Sequence, residues 1–261
     1  MNKKIFSESI NLSSYTTIKV GGVAEYFAEP RSIKEFSYLI KWANLNKQKC
    51  QIIGAGSNLL INNIFIKGLV ICTKKLKSLK IEPFSGIVEA EAGVMLPTLS
   101  NALAKNGLHG GEWAVGIPGT LGGAIYMNAG TGNISLSKNL ISVKVINNKT
   151  NEEFQIEKKD INFEYRFSSF QSNDLTIISA KLHFEPNGNL EQLIQTTKNN
   201  LKLKTETQPY HLPSFGSVFK NPENNYAAKL IDDMGLKGFK IGGAEISTMP
   251  VSYTHLTLPT R

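Results

Sequence analysis

Hydrophobic and polar positions along this chain alternate between a helical and a strand-like rhythm, and the changes of rhythm mark its elements. Ile33, Phe36, Ile40 and Ala43 recur at helical spacing. Ser32 and Glu35 stand before them as a capping box, so an amphipathic helix is predicted to about Asn44. Cys50–Ile53 and Leu69–Cys72 read as short strands. The run from Ile87 to Ala92 alternates, as a half-buried strand does. Pro97 at a first helical position and Gly107 just past an end bracket a helix through Leu99, Ala102 and Leu103. Ile141–Ile146, a turn at Asn147–Thr150 and Phe154–Ile156 predict a hairpin. Thr176, Ile178, Ala180, Leu182 and Phe184 fall on one face of a further strand.

Pro186–Asn189 breaks this pattern and marks a domain boundary. Beyond it, Leu190, Leu193, Ile194, Thr197 and Leu201 form one helical stripe. Ala227, Leu230, Ile231 and Met234 form another, stopped by Gly235. After Ser247 the texture changes, with no cap, period or turn chemistry tying residues 248–261 to what precedes them. That segment is expected to be a non-native tail, such as an assembly or vector scar. The organisation expected is three units, 1–72, 73–187 and 188–247, followed by the tail.

Composition narrows the class. A hydrophobic content of 41% and a charged content of 19% suit a globular chain with a substantial core. No apolar run reaches the about 18 residues of a membrane span, and the first residues lack the apolar stretch of a secretory signal. Cys50 and Cys72 sit in apolar strands and read as buried thiols of a reducing compartment. His109, His183, His211 and His255 have no metal-ligand spacing, so no metal is assigned. The net charge of +8 fits a polyanionic partner. Its lysine clusters, at Lys74, Lys75, Lys77 and Lys80 and at Lys198, Lys202 and Lys204, lack the interleaved aromatics of a single-strand binder. They read as solvated faces, and neither nucleic acid nor membrane is expected as a partner.

The chemistry is concentrated in four places. Residues 116–130 hold five of the chain's 22 glycines, and glycine is costly to order unless backbone must pass close to something. Pro118 shapes this loop, while Thr120 and Asn128 add polar groups among Gly116, Gly119, Gly122, Gly123 and Ala124. About 60 residues earlier, a strand delivers Gly54, Ala55, Gly56, Ser57, Asn58 and Leu59, whose small residues expose successive backbone amides. This is neither a P-loop nor the dinucleotide fingerprint, which fails at Leu59. Residues 54–59 alone read equally as a structural turn, and residues 116–130 admit one as the lesser reading; two together suit one extended ligand such as a dinucleotide. Arg166 stands between Tyr165 and Phe167; its guanidinium suits a carboxylate or phosphate, although a lone arginine is more often an ordinary surface residue. Pro213–Pro222 carries Ser217, Lys220 and Asn221 but no nucleophile elbow, so a hydrolase triad is not expected.

Taken in order, Thr17–Gly22, Ile53–Leu60, Gly116–Ala124 with Asn128–Gly130, Tyr165–Ser168 and Gly216–Pro222 resemble the UDP-N-acetylenolpyruvoylglucosamine reductase family over about residues 12–247. The resemblance implies an α+β chain with a vanillyl-alcohol-oxidase-type FAD-binding fold. Two α+β subdomains clasp FAD, and an α+β substrate-binding domain, here incomplete, covers them. It implies a cytoplasmic flavoenzyme of peptidoglycan precursor synthesis that uses NADPH to reduce the enolpyruvyl group of a UDP-sugar, giving UDP-N-acetylmuramate. By the same resemblance Arg166 stabilises an enolate, Ser217 donates a proton, and residues 54–59, 116, 118–120, 122–124 and 128 hold FAD. Lys220 and Asn221 are expected at the substrate, Lys220 on the ground of charge.

Two departures from the family pattern stand out. Thr131-Gly132 follows Gly130 in place of a slightly longer segment. The continuation expected after Ser247, which ends near a glutamate assisting the arginine, is replaced by the tail, and Glu245 precedes that region. Such a chain is expected to bind FAD and reduce substrate poorly. The alternatives are an FAD-dependent sugar or alcohol oxidase of the same fold, or an FAD-binding module without turnover.

Overall fold

The computed structural model describes residues 5–62, 64–249 and 253–256. Near the N-terminus, β1 (Ser7–Asn11), β2 (Val23–Ala28), β3 (Cys50–Ile53) and β4 (Phe65–Cys72) form a sheet in the order β1-β2-β4-β3. The β2–β4 and β3–β4 pairs are parallel, and the crossover carries α1 (Ile33–Leu45). Ser32 caps α1 by accepting the Glu35 amide, and the Glu35 carboxylate reaches back to the Arg31 amide. The capping box therefore closes one residue earlier than its usual form.

The second sheet begins with β5 (Leu79–Glu82) and β6 (Ile87–Glu91). The chain then passes through α2 (Leu96–Lys105), α3 (Leu121–Tyr126) and a small ribbon of β7 (Gly130–Thr131) and β8 (Ile134–Ser135). It returns as β9 (Leu140–Asn147) and β10 (Glu153–Glu157), makes the short pair β11 (Phe163–Glu164) and β12 (Phe167–Ser168), and ends in β13 (Leu175–His183). The sheet order is β10-β9-β13-β6-β5, antiparallel throughout. The predicted hairpin and the Thr176–Phe184 face are both present, with all five face residues buried.

A third unit follows Asn189, which caps α4 (Leu190–Thr207) through the Gln192 amide. It continues with β14 (Ser214–Ser217), α5 (Ala227–Asp233), β15 (Lys240–Ile241), β16 (Ala244–Ile246) and β17 (Tyr253–Leu256), in the sheet order β14-β17-β16-β15. The backbone of 253–256 is thus paired on both sides, although it lies in the segment that the sequence pattern sets apart. Ladder bonds run through the main chain and need no cap or side-chain period. The other residues of 250–261 lie outside the described ones.

Two stretches differ from expectation. Residues 116–130 are not one loop, since Leu121–Tyr126 closes into α3. Its Leu121 and Ile125 face the core, and the Gly122 amide donates to the Ala92 carbonyl. A Cβ on Gly122 would stand 2.9 Å from that of Ala92, so this glycine serves close packing of helix on sheet. The stripes of α4 and α5 are only half used. Leu193 and Thr197 are buried while Leu190, Leu201, Leu230 and Met234 are exposed, because these helices meet only a narrow surface of the remaining fold.

The core unites the first two sheets. Phe36, Leu39, Ile40 and Ala43 of α1 pack on Ala28, Leu69 and Ile71, and on Ile146 and Ile178 of the second sheet. A separate cluster buries α2 and α3 against the second sheet through Leu99, Leu103, Leu121, Val143, Leu182 and Phe184, among others. Among the described residues no helix is long and apolar enough to cross a membrane. Phe36→Ala should destabilise the chain by about 3–5 kcal/mol in denaturant unfolding, since the cavity opens between both sheets.

Cys72 is buried and Cys50 half-buried. Burial pushes the Cys50 thiol up to about 12 from its ordinary 9.0. A raised folded value means the protonated thiol favours the fold. That stability is fully present below the unfolded value and is lost as pH climbs from about 9 toward 12. Wild-type stability should fall across this window, and Cys50→Ala should flatten part of the fall.

Candidate active site

The two glycine segments, remote in sequence, meet in space. β3 ends at Ile53 and delivers Gly54, where an added Cβ would overlap the Thr120 hydroxyl. A Cβ on Gly119 would stand 3.3 Å from Ser57 Oγ. Gly56 has φ of +67°, and a Cβ there would overlap the Tyr15 carbonyl, so both conformation and space require glycine. The Gly56 carbonyl accepts the Thr17 amide at 3.2 Å. The Thr17–Gly22 motif therefore braces the first glycine turn from behind. Burial, followed by the charge of Glu29, raises the Tyr15 phenol above its usual range.

Gly54 and Ala55 are half-buried, Gly56 is buried, and Ser57 is half-buried, while Asn58 and Leu59 reach the surface. In the second segment Pro118 is exposed, Gly119 half-buried and Thr120 buried, and Gly122, Gly123 and Ala124 belong to α3. Thr120 Oγ1 is fully enclosed yet has no hydrogen-bond partner. Asn128 Oδ1 is also enclosed and unpaired, although its Nδ2 donates to the Glu164 carbonyl at 2.9 Å. Buried polar atoms without partners are rare in native folds. Two of them, one where the glycine segments meet and one at the end of α3 beside the cavity described below, fit a ligand that brings its own hydrogen-bonding groups. A dinucleotide does so through its phosphates and its ring. The residues present therefore fit FAD.

Arg166 lies beyond Asn128. Its φ of +57° is uncommon for a long side chain, and Asn128 itself has φ of +42°. Arg166 Nη2 donates to the Gly130 carbonyl at 3.0 Å, and the guanidinium carbon sits 4.9 Å from the centre of the Tyr165 ring. A cavity of about 170 Å³ opens here, lined by Asn128, Ile134, Ser135, Tyr165 and Arg166 among others. One guanidinium donor is committed to Gly130, which leaves others for an anion.

The third unit reaches this cavity through Tyr165, whose hydroxyl accepts the Asn221 amide at 3.3 Å. Asn221 Oδ1 accepts the Ala227 amide and so caps α5, which commits the side chain expected at the substrate. Ser217 ends β14 and is exposed, as is Lys220. The Thr17 hydroxyl donates to the Ser214 carbonyl, a second tie between the first unit and this strand.

Gly116 faces the third unit. Its carbonyl accepts the Tyr210 hydroxyl, and a Cβ there would stand 2.6 Å from Lys204 Cγ. Burial lowers the Lys204 pKa and raises that of Tyr210. Sequence reasoning passed over Tyr165, Lys204 and Tyr210 as site residues. Tyr165 had a signal, its place beside Arg166; Lys204 lay in a cluster read as solvated, and nothing local distinguishes Tyr210.

Comparison with known proteins gives consistent answers. Residues 24–152 match the family described as FAD binding domain. Residues 208–253 match the UDP-N-acetylenolpyruvoylglucosamine reductase C-terminal domain. A UDP-N-acetylenolpyruvoylglucosamine reductase of Prochlorococcus marinus subsp. pastoris is 72% identical over 249 residues, 95% of this chain and 84% of the relative. One from Prochlorococcus marinus strain NATL2A is 48% identical over 95% of this chain and 84% of the relative. The crystal structure of the Thermus caldophilus reductase superposes with a TM-score of 0.80 at 28% identity, covering 97% of this chain and 88% of that one. A variant of Phl p 4, a glucose oxidase, shares the fold alone, with a TM-score of 0.55 at 12% identity over 71% of this chain and 42% of that one.

Thr120→Val tests the unpaired hydroxyl. Replacing it by a methyl of similar shape should leave the ligand-free stability unchanged or raise it by about 1 kcal/mol, because no bond is lost. Gly56→Ala should destabilise by more than about 1 kcal/mol, since both φ and the Tyr15 carbonyl oppose a side chain. Urea unfolding measures both.

Proposed function

This chain belongs to the UDP-N-acetylenolpyruvoylglucosamine reductases, FAD-dependent oxidoreductases of peptidoglycan precursor synthesis, and from that membership we propose that it reduces the enolpyruvyl ether of UDP-N-acetylenolpyruvoylglucosamine to UDP-N-acetylmuramate in the cytoplasm, with NADPH as reductant. The observation that carries the reading is the meeting of Gly54–Ser57 with Gly119–Thr120 around an enclosed, unpaired threonine hydroxyl.

FAD, when bound, supplies hydride transfer between the nicotinamide and the enolpyruvyl group. The residues that would hold it are Gly54–Leu59, Gly116 with Pro118–Thr120, Gly122–Ala124 and Asn128. Thr120 and Asn128 contribute the free hydrogen-bonding atoms, and the glycines contribute close approach of backbone.

Reduction at the terminal carbon pushes negative charge onto the substrate carboxylate. Arg166 meets that charge. Its guanidinium is held against Gly130 and Tyr165 before substrate arrives, so little reorganisation accompanies the reaction. A proton must then reach the adjacent carbon, and Ser217 donates it. A serine hydroxyl is a weak acid, so this step depends on the basicity of the enolate and on placement. The tie from Tyr165 to Asn221 holds the segment bearing Ser217 to the element bearing Arg166. Lys220, exposed beside it, adds positive charge for the diphosphate of the UDP-sugar.

The test is anaerobic spectroscopy of the flavin-loaded chain. NADPH should bleach the flavin band, and UDP-N-acetylenolpyruvoylglucosamine should restore it. Recovery with oxygen alone would identify an oxidase, and absence of bleaching a binding module. Ser217→Ala should still be bleached by NADPH but recover on substrate at least about 100-fold more slowly. Arg166→Lys should slow the same step by about tenfold or more, because a point charge does not replace the guanidinium fork.

A further inference from the structure

Arg166 stands on an uncommon piece of backbone. β11 and β12 pair Phe163 with Ser168 and Glu164 with Phe167, which leaves Tyr165 and Arg166 as the two residues of the turn. Of these two only Arg166 has a positive φ, +57°. The second place of such a turn favours glycine or asparagine. A long side chain persists there only where its surroundings over-determine the conformation. Three contacts hold the hairpin. Asn128 Nδ2 donates to the Glu164 carbonyl at 2.9 Å, the Ser168 hydroxyl to the Tyr126 carbonyl at 2.8 Å, and Arg166 Nη2 to the Gly130 carbonyl at 3.0 Å. None of these three engages the main chain of Arg166 itself.

Gln171 does. Its Nε2 donates to the Arg166 carbonyl at 3.3 Å and to the Tyr126 carbonyl at 2.9 Å. Both partners are carbonyl oxygens, which only accept, so the NH2 end of the amide must face them, and its two hydrogens match the two acceptors. Tyr126 is the last residue of α3, and the carbonyls of a last turn have no partner inside the helix. Gln171 and Ser168 supply that partner from outside. The amide therefore joins the end of the helix that carries Gly122–Ala124 to the peptide that carries the Arg166 guanidinium. Phe170, the preceding residue, is buried in the core with α2, α3 and the second sheet, which fixes the point from which Gln171 reaches.

We propose that Gln171 is a positioning residue of the reaction. By holding the Arg166 peptide to the end of α3, it sets the guanidinium relative to the flavin-binding helix, and so relative to the substrate carboxylate. The inference rests on the reading above in which Arg166 meets that carboxylate. Gln171 itself need touch neither substrate nor cofactor. The guanidinium is then fixed from two sides, by Gly130 at its nitrogen and by Gln171 at its main chain. A misplacement of about 1 Å in such a group costs up to about a hundredfold in rate, so an amide that only holds it in place carries weight.

The test compares Gln171→Met, which keeps the length and removes both donors, with Gln171→Lys, which restores donors at that place. On the FAD-loaded chain, Gln171→Met should be bleached by NADPH as fast as wild type but recover on UDP-N-acetylenolpyruvoylglucosamine about tenfold or more slowly. Gln171→Lys should stay near wild type in both steps. Calorimetry gives a readout without turnover. Affinity for UDP-N-acetylmuramate, which bears the carboxylate, should fall about tenfold in Gln171→Met. Affinity for UDP-N-acetylglucosamine, which lacks it, should not change. In an Arg166→Lys background, Gln171→Met should add less than about a threefold slowing, because the two residues act as one unit. Should Gln171→Met not fold, Gln171→Glu carries the same comparison, since it sets carboxylate oxygens against the two carbonyls. Wild-type recovery in a folded variant, equal weakening of both UDP-sugars, or the same slowing in both Arg166 backgrounds would overturn the role of Gln171. An Arg166→Lys chain with wild-type recovery and wild-type affinity for UDP-N-acetylmuramate would instead overturn the reading of Arg166 on which it rests.

Discussion

Close approach of backbone is the constraint on which the site depends. At Gly54 the first sheet touches Thr120, at Gly56 it touches the Tyr15 carbonyl, and at Gly93 the second sheet's turn lies on the Thr73 carbonyl. None of these places has room for a Cβ. Each contact brings two stretches of main chain closer than any side chain at the glycine would allow. The glycines cost conformational entropy in folding, and the surrounding packing must supply it. The shared cluster of α1 with Ile146 and Ile178 contributes to it by packing the two sheets into one core.

The third unit is attached differently. It packs α4 on α2 and on the turn at 112–116, and beyond that helix it is tied by a few polar points, Thr17 to Ser214, Tyr165 to Asn221 and Tyr210 to Gly116. Leu193, Thr197 and Ala227 are among its few buried residues, whereas Phe219, Met234, Phe239 and Ile241 are exposed. A unit with so little buried apolar surface sits at the low end of local stability. This division suits a reductase in which the two sheets form one core and the third unit closes over it. Arg166 belongs to the two-sheet part, and its positive φ and its bond to Gly130 set its direction independently of the third unit.

Much was legible in one dimension. The Ser32–Glu35 box, Pro97 with Gly107, the hairpin at Asn147–Thr150 and the buried face of Thr176–Phe184 all follow from local rules of capping, turn chemistry and period. The ordered glycine, arginine and serine motifs pointed to a flavin reductase through their resemblance to that family. Other features were not legible. α3 was hidden inside a glycine-rich run, since its glycines answer to Ala92 across the interface and not to local propensity. The exposed halves of the α4 and α5 stripes look like core from periodicity alone, which cannot report how wide a surface a helix meets.

The sequence by itself determined the elements with clear caps or periods, the family and the residue types at the candidate site, because those depend on short-range rules and on the order of motifs along the chain. Only the tertiary structure decided which groups meet. It set the Thr120 hydroxyl against Gly54, tied Asn221 to Tyr165, committed the Asn221 side chain to capping α5, and took Lys204 out of a cluster of solvated lysines to lay it on Gly116. The physical reason is that burial and partnership of a polar group are set by contacts across tens to hundreds of residues, about which spacing along the chain carries no information.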